Sequence, residues 1–171
     1  MKTRLTLALI MVVAAQAMLS CQNGAPVPLS SDTVVEAEWE VAEAAMRLFL
    51  EDMQKSVAES EPDGGKHYIF VSLLNQVEPS EEFLKQASSD RIVVKKKAEA
   101  KVDQHGAVVD VSSGERGSRL SVQSITWIDK NEVEVSLWQY FNPLGGGEVI
   151  YRFVRRDNTW VFKSKTLGAV S

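Results

Sequence analysis

The chain has 171 residues, a net charge of −4 and 25% charged side chains, which is ordinary for one globular domain. Its mild acidity makes it a poor candidate for non-specific nucleic-acid binding, and no nucleic-acid-binding module is legible in it. A single cysteine excludes an internal disulfide and a thiolate zinc site, so an apolar core must hold the fold.

Residues 1–20 read as a secretory signal. Lys2 and Arg4 form a positive tip, Leu5 to Leu19 an apolar middle, and small residues precede Cys21. The run is broken by Thr6 and Gln16 and falls short of the about 20 apolar residues that a membrane span needs. Met18-Leu19-Ser20-Cys21 resembles the lipobox of bacterial lipoproteins, with Leu19 one place later than the usual pattern and Ser20 as the small residue beside the cut. The resemblance implies a lipid on the Cys21 thiol, cleavage just before it, and two or three acyl chains, palmitate among them. One chain holds a protein on a bilayer only marginally, at about 0.8 kcal/mol per buried CH₂, whereas two or more anchor it stably. Gln22, rather than Asp, after the cysteine implies passage to the outer membrane in a diderm host. Ala15-Gln16-Ala17 offers a competing cut after Ala17, which would give a secreted or periplasmic product with a lone thiol.

All 23 acidic residues lie beyond residue 20, so the chain after the leader is more acidic than the whole. Residues 21–31 are polar, carry Pro26 and Pro28, and read as a lipid-anchored tether. Residues 32–171 read as a single α+β domain. Asp32 caps a predicted helix over Thr33 to Ala58, with Val35, Trp39, Ala42, Met46, Phe49, Met53 and Val57 as one apolar stripe. Pro62-Asp63-Gly64-Gly65 ends it.

His67 to Leu74 is apolar and β-rich and predicts a buried strand. Pro79 to Gln86 predicts a short helix with proline in its first turn. Ile92 to Val102 predicts a strand whose Lys95-Lys96-Lys97 run suits a solvated sheet edge, with anionic headgroups as the functional alternative. Val108-Val109 predicts a brief strand inside a long loop.

Arg119–Ile128, Glu132–Phe141, Glu148–Arg155 and Thr159–Leu167 are four β-type runs joined by short turns, hence an antiparallel meander. Val133, Val135 and Leu137 alternate with Glu132, Glu134 and Ser136, so one face of that strand covers a core. The expected fold is therefore α+β: a long N-terminal amphipathic helix packed on a curved antiparallel sheet that ends in a four-strand meander. The order of elements, with the closing hairpin from Tyr151 to Phe162, resembles NTF2-like and cystatin-like proteins. The resemblance spans the helix and residues 119–167 and implies a helix laid across a curved sheet. The middle is similar in style to small bacterial envelope proteins. Neither likeness carries a catalytic motif onto numbered positions, and function read from fold is analogy.

Candidate chemistry is sparse. His67 and His105 lack the spacing of a metal motif, and neither a metal nor another cofactor is expected. Gly145-Gly146-Gly147 is not followed by Gly-Lys-Ser/Thr, so a flexible hairpin connection is expected in place of a phosphate loop. Ser112, Ser113, Ser118 and Ser121 lack a nucleophile elbow. Trp138, Tyr140 and Phe141 lead into the glycine loop and Tyr151 leads out. These four are the candidate contacts for a small-molecule ligand or a protein partner, with sheet core as the competing role. The expected function is a non-enzymatic binding or interaction module held in the cell envelope through lipid on Cys21. The alternatives are an NTF2-like enzyme with a small apolar pocket and a structural or assembly-helper lipoprotein.

Overall fold

The computed structural model describes residues 31–60 and 64–170. The expected leader, Cys21 and residues 22–30 of the tether lie outside the described residues, as do Pro62 and Asp63 of the breaker cluster.

Helix α1 spans Ser31–Ser60. Of the expected stripe, Ala42, Met46 and Val57 are buried and Phe49 and Met53 pack partly against the core, but Val35 is 52% and Trp39 36% exposed. The buried face instead follows two i,i+4 rows, one through Ala37, Val41 and Ala45 towards Val57 and the other through Ala42, Met46 and Leu50. At 3.6 residues per turn each four-residue step rotates the face by about 40°, so the face winds along a helix this long. At the N-terminal end it has turned towards Glu38, whose carboxylate accepts a hydrogen bond from Trp127 Nε1 at 3.1 Å. Trp127 and Trp160 meet edge-on there, with ring centroids 5.6 Å apart. Small side chains at Ala37, Val41, Ala42 and Ala45 let the helix lie close to the sheet.

The eight strands are β1 (His67–Ser72), β2 (Ile92–Lys96), β3 (Ala100–Val102), β4 (Val108–Asp110), β5 (Arg116–Asp129), β6 (Glu132–Asn142), β7 (Gly145–Arg156) and β8 (Thr159–Val170). They form one sheet in the order β2-β1-β5-β6-β7-β8, with the β3–β4 hairpin joined to the start of β5. One long helix and this sheet make an α+β arrangement. The meander β5 to β8 is antiparallel, as the short turns predict. The sheet as a whole is mixed, which corrects the antiparallel expectation: β1 runs parallel to both β2 and β5. Parallel neighbours need a crossover. Helix α2 (Glu81–Ala87) supplies it between β1 and β2, and the β3–β4 hairpin lies on the path from β2 to β5.

Local chemistry sets the element ends. Ser80 Oγ accepts the Phe83 N–H at 3.1 Å and caps α2, so Pro79 stands before the cap and not in the first turn. The expected strand over residues 92–102 is broken by a 3₁₀ turn at Lys97–Glu99. Glu99 accepts the Lys96 N–H at 3.1 Å and Glu78 accepts the Ala98 N–H at 2.9 Å, which takes these donors out of any strand ladder. The three glycines 145–147 pair within β7 opposite Asn142, Tyr140 and Gln139, so they extend the hairpin and do not form its loop.

The core lies between α1, α2 and one face of the sheet. Met46, Leu50, Phe83, Leu120, Leu137 and Phe153 are among its fully or nearly fully buried members. The alternating residues of β1, β5 and β6 point to the far face, away from α1.

Candidate functional site

On that far face, three neighbouring strands place their side chains in two rows. Ser72 of β1, Ser121 of β5 and Trp138 of β6 share one row, and Phe70, Arg119 and Tyr140 share the next. The alternation that buries Val71, Leu120 and Leu137 on the helix side forces these six onto the opposite side. Directly opposed strand residues have Cβ atoms about 4.5–5.5 Å apart, so each row forms a continuous strip. Lys97, from the 3₁₀ turn, and Val102 of β3 close over it. Ser72, Lys97, Val102, Arg119, Ser121, Trp138 and Tyr140 together line a depression of about 350 Å³. That lies at the lower end of the about 300–1,000 Å³ typical of small-ligand pockets.

Two polar groups in this depression are buried without a partner. Ser72 is 1% exposed, and neither its Oγ nor the buried Nε of Arg119 has a hydrogen-bonding partner among the described residues. Each such group costs about 1–3 kcal/mol when left unbonded. Neither Arg119 nor Lys97 forms an ion pair among the described residues. Their lysine neighbours are neutralised: Lys95 bonds Asp110, and Lys96 bonds Glu81. Hydrogen bonding by Asp110 holds the Lys95 ammonium above its ordinary value, and Glu81 does the same for Lys96. The lysine run is therefore divided among separate tasks and is not one solvated strip.

The aromatic walls are held in place. Tyr140 OH donates to the Gly106 carbonyl at 3.1 Å. Gly106 has φ +81°, and a Cβ there would run into the Pro143 ring, so the loop reaches Tyr140 only with glycine. Across from Trp138, Glu148 accepts the Ser136 hydroxyl at 2.5 Å. The site thus combines two cations, two hydroxyls and two half-buried rings.

The sequence-predicted contacts are separated by the fold. Trp138 and Tyr140 come together in this depression. Phe141 is 44% exposed and lines a different hollow with Met53, His67 and Tyr68. Tyr151 is 1% exposed inside the core, on the helix face, where burial raises its phenol well above the ordinary value and keeps it neutral. Phe141 and Tyr151 therefore do not join Trp138 and Tyr140. Of the remaining candidates, His67 opens β1 and His105 sits in the β3–β4 turn against Gln104. Ser112 serves Asp110 and Ser118 accepts from Gln139. Among the described residues no group of three His, Cys, Asp or Glu side chains is placed to hold a metal, and no helix is long and apolar enough to cross a membrane.

Sequence reasoning missed Arg119 and Ser72, and it read Lys97 only as one of a lysine run on a sheet edge with anionic headgroups as the alternative. The parity of β5 was readable, since Leu120 and Val122 must share the core face and leave Arg119 and Ser121 on the other. That Ser72 and Lys97 lie beside them depends on the parallel placement of β1, which no local signal carries. Comparison with family models, with curated proteins and with solved structures finds no match to the chain.

Proposed function

We propose that this chain is a cell-envelope lipoprotein, anchored through lipid on Cys21, whose folded body is a binding module and not a catalyst. The binding surface is the far face of the sheet at Ser72, Arg119, Trp138 and Tyr140. The observation that carries the reading is a depression walled by two aromatic rings and lined by Arg119 and Lys97, neither ion-paired among the described residues, over the buried, unpartnered Ser72 Oγ and Arg119 Nε. Such groups are kept against a folding cost, and a bound molecule that completes their hydrogen bonds offsets it. The anchor reading rests on the lipobox-like Met18-Leu19-Ser20-Cys21 and the leader before it. The likeness to NTF2-like proteins is carried by the long helix over the meander, while the parallel β1 and the filled position of Tyr151 weigh against an enzyme pocket beneath the helix.

Two measurements test the halves separately. Cys21→Ala should move the protein from the membrane fraction to the soluble fraction; retention in the membrane would remove the anchor. Envelope molecules retained by the immobilised full chain should be lost from Trp138→Ala at an unchanged unfolding midpoint. Equal retention by both would remove the far face as the binding surface.

A further inference from the structure

We infer that the far-face depression recognises a small carboxylate that carries an aromatic or apolar body. The inference deepens the binding reading above and rests on it. A guanidinium presents paired N–H donors whose spacing matches the two oxygens of a carboxylate, and such bidentate pairs are the strong, directional ones. Arg119 lines the depression as a half-buried residue with no acid partner among the described residues; its Nε is closed off, so the donors it can offer a ligand are its terminal N–H groups. Ser72 Oγ, 1% exposed and likewise unpartnered, lies beneath the surface in the adjoining strand row, a donor that a ligand reaches only where the wall over it gives way. Lys97 adds a second positive charge at the side of the depression, in a protein whose net charge is −4. Trp138, Tyr140 and Val102 give the flat, apolar walls against which the body of the ligand rests. Ser121 is already used, accepting from Gln123 at 2.7 Å.

A hollow of about 350 Å³ has the size of a small-molecule site. Charge and shape together therefore point to one compact anion with one ring or short apolar chain.

The test is calorimetric titration of the full chain in nanodiscs with three probes: phenylacetate, its neutral isostere phenylacetamide, and phenyl phosphate. Phenylacetate should bind at least about tenfold tighter than the amide, the loss expected when a charge-assisted bond is removed. In Arg119→Gln that preference should fall to about one. Ser72→Ala and Lys97→Gln should each weaken phenylacetate several-fold, and because these are smaller changes they decide the matter if Arg119→Gln does not fold. Equal binding of acid and amide, with loss of both in Trp138→Ala, would overturn the carboxylate assignment and leave the binding face standing. Tighter binding of phenyl phosphate than of phenylacetate would likewise overturn it. No heat with any probe up to millimolar concentration would remove the carboxylate and the binding face together.

Discussion

Lys95 Nζ lies 2.6 Å from Asp110 Oδ2, and the contact joins the edge strand β2 to β4 across fifteen residues of chain. Asp110 is fully buried, and its other oxygen accepts the backbone N–H groups of Ser112 and Ser113, each at 2.8 Å. Two strands of five and three residues are thereby held by one carboxylate.

This clasp has a pH signature. Hydrogen bonds from Lys95, then Ser112 and Ser113, hold the Asp110 carboxyl far below its ordinary 3.8. A depressed folded value means that the stabilisation is complete above the unfolded value and is lost as pH falls towards the folded one. The parent's stability to chemical denaturant should therefore fall from about pH 5 to about pH 2.5 more steeply than that of Asp110→Asn. At neutral pH, Asp110→Ala should cost about 1–3 kcal/mol, since it removes the closer partner of Lys95, leaving Glu99 at 3.5 Å, and the acceptor of two backbone N–H groups. Equal pH slopes for parent and Asn variant would refute the clasp.

The winding of the α1 face separates two large residues that the sequence pattern places together. Met46 is fully buried, so Met46→Ala should cost about 2–5 kcal/mol in urea denaturation. Trp39, at 36% exposed, should cost well under the about 3–5 kcal/mol of a buried tryptophan when truncated to Ala. Similar losses at the two positions would mean that the helix is turned the other way.

Tyr151 OH has no partner among the described residues although the side chain is 1% exposed. Removing an unpartnered buried hydroxyl removes its desolvation cost while leaving the ring in place against Phe162, 6.2 Å away. Tyr151→Phe should therefore leave the thermal midpoint equal or raise it by a few degrees. A fall in the midpoint would reveal a hydrogen bond to that hydroxyl in solution.

Gly117 sits where β5 pairs with β1 on one side and β4 on the other, opposite Tyr68 and Val108. A Cβ there would come within 2.8 Å of Phe70 Cε2 and 2.9 Å of Tyr68 Cβ, besides striking the Tyr68 carbonyl oxygen. Backbone and buried ring cannot both retreat in a packed sheet, so Gly117→Ala should destabilise by about 1–3 kcal/mol. The loss should include β1, read as faster hydrogen exchange at residues 68–72. Unchanged exchange there would show that β1 does not approach β5 so closely.

Much of this architecture was legible from neighbouring residues alone. The alternation in β6, the short turns of the meander and the break after α1 report local physics, the period of an element and the stiffness of its turns, and these survive in any tertiary setting. What the chain could not disclose locally was which strands become neighbours. Trp138 and Tyr140 were readable as an aromatic pair two residues apart, but Phe141, the next residue, necessarily points to the other side of the strand. Tyr151 belongs to the core because its parity matches Phe153. Ser72 and Arg119 meet only because β1 enters the sheet parallel to β5, a pairing made by residues nearly fifty positions apart. Such contacts are selected by the burial of the whole apolar set at once, which is why the sequence by itself determined the elements and the tertiary structure alone decided the site.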